Sequence, residues 1–352
     1  MRLGLNLGYW GPGSAPTDLI ENAVLADQLG FDSVWAAEAY GSDAVSVLAW
    51  VGARTERVKL GSAVLQIPAR TPAMTAMTAA TLDTLSGGRF QLGLGVSGPQ
   101  VSEGWHGVRF EAPLARTREY VDIVRMALGR QTVEHEGRFW SLPLPDGPGK
   151  ALRLTIREHR PDLPIYLAAV GPKNLELTGE IADGWLAIFF SPEHSGDLLA
   201  AIEKGRRASG RAATDAPLTG FDVVATAPVV LHDDVERAAD VVRPYCALYI
   251  GGMGSRDKNF YNQLACRMGY EEEAARIQDL FLAGQHREAA AAVPFEFIDE
   301  TALIGPAARI AQRIGRYADA GVTTLALSPQ AANGEGQRAV LRAVAEMVPA
   351  SD

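Results

Sequence analysis

Short apolar runs alternate along this chain with longer segments in which apolar positions recur at helical spacing. Residues 3–7, 33–36, 58–64, 90–95, 164–169, 184–190, 219–230 and 323–327 have the length and near-continuous apolar character of strands covered on both faces. The intervening pattern predicts helices near 18–29, 44–55, 73–85, 118–128, 172–181, 194–208, from 235 onward, 306–320 and 336–347. Thr17 is read as the first N-cap and Gly30 as its stop, Pro72 as a first-turn residue, and Gly87-Gly88 as the close of the third helix.

Strand and helix in repeated order form an α/β protein, and eight such units predict a closed (β/α)8 TIM barrel. A doubly wound sheet is the alternative; the first strand lacks the Gly-x-Gly-x-x-Gly element that such a sheet uses for dinucleotides. Two stretches break the rhythm, about 96–163 after strand 4 and about 251–304 after strand 7. They are read as insertions in a single domain spanning 1–352, because long connections usually serve as functional loops or lids. Catalytic groups in such barrels sit on the loops at the carboxyl ends of the strands, which fixes where to search.

Charge narrows the partners. Lys and Arg number 33 against 42 Asp and Glu, a net charge of −9, and the longest basic run is Arg206-Arg207. Neither nucleic acid nor an anionic membrane surface suits that balance. Cys246 and Cys266 stand in no metal or redox spacing, the six histidines form no HxH or HxxxH pair, and no metal site is expected. No window is long and apolar enough for a membrane span, the first residues enter a strand without leader features, and a cytoplasmic location is expected.

Several loop segments can carry chemistry. Gly171-Pro172-Lys173-Asn174 opens a helix after strand 5, so that backbone N–H groups of Lys173 and Asn174 and the Lys173 ammonium can face an anion such as a phosphate; an ordinary Gly-Pro helix start is the alternative. Glu38 directly follows strand 2 and can act as an acid or base, or can pair with a neighbouring arginine at the barrel mouth. His106, beside Trp105, can move a proton near neutral pH or be a plain surface histidine. Trp10, Trp105, Phe189 and Phe190 can furnish an apolar pocket floor, or pack the barrel.

The residues also resemble a known family. The segments Leu29-Gly30-Phe31-Asp32-Ser33-Val34-Trp35 leading to Glu38, Val58-Lys59-Leu60-Gly61-Ser62-Ala63-Val64, Thr71-Pro72-Ala73 and 79–89 with Leu92-Gly93-Leu94-Gly95 carry the likeness. So do 165–173 and Gly179-Glu180-Ile181-Ala182-Asp183-Gly184. In order and spacing they resemble the bacterial-luciferase-like superfamily, in its branch that uses the deazaflavin coenzyme F420 and is related to methylenetetrahydromethanopterin reductase.

That resemblance implies a non-prolyl cis peptide at Ala63-Val64 backing the deazaflavin ring, and ring contacts from Glu38 and Gln66. It implies a pocket wall at Val96 and Ser97, and phosphate contacts from Val170, Gly171, Lys173 and Asn174. It implies hydride exchange between coenzyme F420 and a small organic substrate bearing a carbonyl, imine or activated alkene. Sugar-phosphate dehydrogenases of the branch place a His after the acidic residue and a Glu after strand 4; Ala39 and Gly98 stand there instead, so glucose 6-phosphate oxidation is not expected. Glu38 and His106 are then the candidate catalytic groups. An FMN-dependent monooxygenase of the same fold is the alternative, and a non-catalytic flavin-binding barrel a third. A homodimer built on helices two and three is expected, because the third helix carries Asp83 as its only charge.

Overall fold

The computed structural model describes residues 1–10, 15–256 and 258–348. A ten-stranded parallel sheet contains the eight strands of the barrel, β1 (Arg2–Gly8), β2 (Ser33–Ala36), β3 (Lys59–Ser62), β4 (Phe90–Gly95), β5 (Ile165–Ala168), β6 (Gly184–Ile188), β7 (Asp222–Leu231) and β8 (Thr324–Pro329), with two short additions at Leu65–Gln66 and Leu303–Gly305. Each strand pairs with the next, from Gly4↔Ser33 between β1 and β2 to Asp222↔Gly184 between β6 and β7. Arg2↔Thr324 joins β8 back to β1, so the sheet closes into the eight-stranded barrel that the alternation predicts.

Alternate strand residues point inward and stack in layers. At the base, Tyr166 donates to Asp222 at 3.0 Å and receives the Gln91 amide at 2.9 Å, while Arg2 lies 2.8 Å from the same aspartate. Burial, and then the Asp222 charge, raise the Tyr166 pKa well above its ordinary value, which keeps the phenol a donor. Above it Trp35 crosses the barrel, edge-on to Tyr166 at 5.3 Å between ring centroids. Glycine makes the room: a Cβ on Gly61 would stand 2.1 Å from the Trp35 ring. The indole N–H is satisfied by Ser33 Oγ at 2.9 Å. Trp35 thus floors the upper end of the barrel, where Ala63, Val64 and Ala168 pack on this interior cluster.

Helices coat the outside. After β1 to β3 come α1 (Pro16–Gln28), α2 (Ala44–Gly52) and α3 (Pro72–Leu85). The predicted Thr17 cap is displaced: Ala15 holds that position, because Pro16 is already preset for the first turn. The second helix ends at Gly52 rather than at 55, where Arg89 takes the carbonyls of Gly52, Thr55 and Val58. The predicted strand 58–64 is interrupted after Ser62 and resumes only at Leu65–Gln66, paired with β4.

Between β4 and β5 the chain forms α4 (Pro99–Gly104), α5 (Pro113–Leu128) and a small antiparallel ribbon pairing His135 with Leu142. After β5 and β6 come α6 (Pro172–Ile181) and α7 (Gly196–Ala208). These two helices interlock through glycines, since a Cβ on Gly179 would fall 2.0 Å from the Ile202 carbonyl and one on Gly205 1.8 Å from that of Glu176. Between β7 and β8 lie α8 (Val235–Ala247), α9 (Phe260–Arg267), α10 (Glu271–Leu282), α11 (His286–Ala291), α12 (Phe295–Thr301) and α13 (Ala307–Asp319); α14 (Gly334–Met347) ends the chain's regular structure. Helices α8 to α12, with the helical turn at Leu248–Gly252, build their own apolar cluster around Ile250, Ile277, Phe297 and Ile298. No helix among the described residues is long and apolar enough to cross a membrane.

Candidate functional site

The rim after β2, β3 and β4 is tied together by side chains. Glu38 receives both terminal nitrogens of Arg70, with Nη2 at 3.1 Å, together with the backbone amides of Gln66 at 3.0 Å and Ala44 at 3.1 Å. Its carboxylate is 5% exposed. Of the two roles open to Glu38 from sequence, pairing with a neighbouring arginine is the one the structure displays. Gln66 continues the network, donating to the Ala39 carbonyl at 2.8 Å and accepting from Ser97 Oγ at 2.9 Å. Ser97 stands in the left-handed region at φ 61°, turning the chain out of β4.

Between these anchors the Ala63–Val64 peptide is cis, as the resemblance implies. Two glycines on β4 receive this bulge. A Cβ on Gly93 would sit 1.8 Å from the Ser62 carbonyl, and one on Gly95 2.6 Å from Val64 Cγ2. Ser62 Oγ locks the register by accepting the Gly93 amide and donating to the Gly93 carbonyl, both at 2.9 Å. The result is a flat apolar wall of Ala63 and Val64 standing over the Trp35 floor.

Across the mouth, α6 begins with Gly171 as N-cap and Pro172 in its first turn. The backbone at Gly171 is open, with no atom within 4 Å of where a Cβ would stand. One expectation needs correction: the Asn174 amide does not point free but donates to the Gly171 carbonyl at 3.0 Å, closing the first turn, and its side chain lies 3.5 Å from the Ala168 carbonyl. The Lys173 ammonium meets Glu176 at 2.9 Å and is 74% exposed, so it can swing away at little cost. Arg267 of α9 donates to the Val170 carbonyl at 3.0 Å, a second cation at this corner that sequence reading did not find.

The aromatic floor is also corrected. Phe190 packs on Trp185 and Tyr317 outside the strands, Phe189 turns at φ 50° into the cluster of the second insertion, and Trp105 is 67% exposed. The left-handed turn at Phe189 ends the strand alternation two residues early, which the pattern of apolar residues could not reveal. Two tyrosine groups stand elsewhere: Tyr9 and Tyr40 pair at 6.3 Å, and within the cluster of the second insertion Tyr249 meets Tyr245 tilted at 4.8 Å and Tyr261 edge-on at 4.9 Å. Burial, with Tyr9 adding to it, pushes Tyr261 up to about 12, and burial raises Tyr249 as well. Tyr249 and Tyr261 are therefore neutral at physiological pH.

His106 is half-buried in the loop after α4, with a buried Nε2 that has no partner among the described residues. On the β1, β7 and β8 side, Asn6 lies 3.5 Å from Thr226 Oγ1, and Ser328 accepts from Gln330 at 3.1 Å. No set of three or more metal-ligating side chains gathers among the described residues. Phe110 of the first insertion and Phe260 of the second approach to 6.2 Å between ring centroids.

Comparison with known proteins places this arrangement. The family model described as luciferase-like monooxygenase matches residues 4–324. Rv3520c of Mycobacterium tuberculosis, provisionally named a coenzyme F420-dependent oxidoreductase, is 45% identical over 335 residues, covering 93% of this chain and 95% of that protein. The 5,10-methylenetetrahydromethanopterin reductase of Archaeoglobus fulgidus is 30% identical over 308 residues, 85% of each chain. The structure of the coenzyme F420-dependent tetrahydromethanopterin reductase of Methanopyrus kandleri superposes with a TM-score of 0.80 at 25% identity, over 99% of this chain and 98% of that one. The chain therefore belongs to the luciferase-like monooxygenase family, beside relatives of its coenzyme F420-dependent oxidoreductase branch.

Proposed function

We propose that this protein is a coenzyme F420-dependent oxidoreductase that exchanges a hydride between the deazaflavin and a small organic substrate with a carbonyl, imine or activated alkene. The observation that carries this reading is the apolar wall of Ala63 and Val64, seated against Gly93 and Gly95 and packed on the Trp35 cluster. A planar ring fits such a wall on one face and leaves the other for substrate. Two of the names, that of the relative at 45% identity and that of the superposed reductase at 25%, print coenzyme F420 and support the same cofactor.

When bound, the deazaflavin supplies a hydride acceptor or donor at its carbon 5. The chain's part is to bind, orient and exclude water. Ala63 and Val64 back the ring. Glu38 and Gln66 hold the rim in one geometry, with Val96 and Ser97 closing the β4 side. The open backbone at Val170 and Gly171, the start of α6, Lys173 and Arg267 receive the phosphate, with Asn174 fixing the turn rather than offering its amide. Of the two groups considered for proton movement, Glu38 has its lone pairs occupied, whereas His106 keeps an unpartnered ring nitrogen and can carry the proton.

The protein acts as a homodimer in this reading. Trp50 on α2 and Met74 and Met77 on α3 are each more than half exposed, an apolar face that a second copy would cover. The test of the cofactor is a fluorescence-quenching titration with coenzyme F420 beside FMN. Micromolar or tighter binding of the deazaflavin with weaker binding of FMN is expected; preference for FMN would overturn the assignment.

A further inference from the structure

The upper end of the barrel interior is apolar on one side and polar on the other. Asn6 of β1 and Thr226 of β7 belong to strands that do not pair, since β8 lies between them, yet Asn6 Nδ2 comes to 3.5 Å from Thr226 Oγ1. The two side chains can meet only across the interior. Ala326, in register with Thr226 on the intervening β8, belongs to the Trp35 cluster and is small enough to leave them room. Ser328 lies two residues further along β8 and so shares that face. In the ring of eight strands β7 stands four from β3, which sets the arc of Asn6, Thr226 and Ser328 opposite the Ala63–Val64 wall.

Solvent reaches this arc. The outward neighbours Leu5, Leu7, Ala225, Ala227 and Leu327 are buried in the outer core, whereas the inward Asn6, Thr226 and Ser328 are only half-buried. An inward residue of a closed barrel keeps exposure only where the interior is unfilled or the strands part. Asn6 and Ser328 also line a cleft of about 110 Å³, which opens where β1 and β8 cease to pair above Leu5↔Leu327. One water needs about 10–15 Å³, so the cleft has room for a compact organic group. Its other polar members, Asn22, Gln330 and Gln337, carry no charge.

The hydrogen-bonding capacity of the arc points one way. Asn6 Oδ1 accepts the Gly8 amide at 2.8 Å, which fixes the carboxamide with its Nδ2 toward Thr226. A contact of 3.5 Å leaves the two amide hydrogens almost unspent. Thr226 Oγ1 has no nearer side-chain partner among the described residues, and Ser328 Oγ accepts from Gln330 at 3.1 Å, which leaves its own hydrogen to give. Uncharged donors of this kind suit a neutral oxygen acceptor, whereas a carboxylate or phosphate is better met by a guanidinium or ammonium group.

We infer that Asn6, Thr226 and Ser328 form the substrate-selecting arc of the barrel, which takes the carbonyl oxygen of an uncharged ketone or aldehyde. Of the substrate classes in the proposed function, this chooses the carbonyl. The arc's part in turnover rests on the deazaflavin reading; its affinity for a ketone does not.

The test uses the full chain and its Asn6→Asp, Thr226→Val and Thr226→Ser variants. Aspartate keeps the acceptor for the Gly8 amide and removes the donor, valine keeps the shape of threonine, and serine keeps the hydroxyl, so unliganded melting temperatures should stay close to wild type. Cyclohexanone is the probe, a compact neutral ketone, and methylenecyclohexane is its oxygen-free control, both followed by saturation-transfer NMR. Wild type and Thr226→Ser should bind the ketone, with binding about tenfold weaker in Asn6→Asp and Thr226→Val; the control should not distinguish the four proteins. In ketone reduction by reduced coenzyme F420, where the carbonyl carbon takes the hydride and the oxygen a proton, kcat/KM should fall in the same order while the deazaflavin Kd stays constant. Wild type that binds no deazaflavin yet keeps a ketone response dependent on Asn6 and Thr226 would remove the proposed function and leave the arc. Ketone binding that is absent, or equal in wild type, Asn6→Asp and Thr226→Val, overturns the arc.

Discussion

Glu38 and Arg70 meet in a two-pronged ion pair that bridges the loop after β2 to the segment after the cis bulge, and the pair is nearly closed to solvent. Removing one partner leaves a buried charge uncompensated, which costs about 3–5 kcal/mol. Arg70→Ala and Glu38→Ala should each lose stability on that scale in urea unfolding, and both should weaken deazaflavin binding. If Glu38 were instead the proton carrier, Glu38→Gln would abolish turnover while leaving binding intact; binding and turnover falling together is the expected outcome.

The Trp35 floor depends on a missing side chain. A Cβ at Gly61 would press into the ring at 2.1 Å, and overpacking of this kind costs about 1–3 kcal/mol or more. Gly61→Ala should lower the urea midpoint and shift the near-ultraviolet signal of Trp35. An unchanged midpoint would mean that the indole has another place to go.

A similar argument holds where α6 crosses α7. Gly205→Ala would drive a methyl into the Glu176 carbonyl at 1.8 Å, and helix backbones cannot yield as a side chain does. Destabilisation at least equal to that of Gly61→Ala is expected. Because α6 carries the proposed phosphate corner, deazaflavin affinity should fall alongside.

Acid sensitivity has one defined contributor in Asp27. Burial alone would raise its pKa, but the amides of Val58, Glu56 and Arg57, at 2.8, 3.1 and 2.9 Å, outweigh burial and lower it. A depressed carboxylate contributes stability that is present above its unfolded value, about 3.9, and is lost as pH falls through the folded one. Asp27→Asn should therefore be less stable than wild type at neutral pH, and the difference should shrink below about pH 4. A difference independent of pH would assign the effect to packing.

The exposed face on α2 and α3 gives a direct check of association. Met77→Glu should yield a monomer in sedimentation velocity at concentrations where the wild type is a dimer, with deazaflavin binding retained. A wild type that is monomeric throughout would remove the dimer.

The barrel was legible in the chain because its signal is local: every strand is a short apolar run, every helix has its own period, and Gly30 and Gly87-Gly88 stop helices where the pattern ends. Parts of the rim were legible for another reason, since Glu38, the Ala63–Val64 bond and Gln66 lie in segments shared with a family. What escaped were relationships between distant residues. Arg70 meets Glu38 across 32 positions, Arg267 reaches Val170 across 97, and neither distance leaves a trace in spacing or composition. Phe189 was misplaced because one left-handed residue reverses the side a strand end presents, and φ cannot be read from apolar character.

The contact of Phe110 with Phe260 joins two chain segments that leave the barrel after different strands. Such a seam divides the molecule's labour. The bulge and its glycines belong to the strands and Glu38 is anchored at their rim, while the Phe110–Phe260 contact is made by two insertions that leave the barrel separately. Selectivity can then drift by change at this junction, on either side, without disturbing the wall proposed to back the ring.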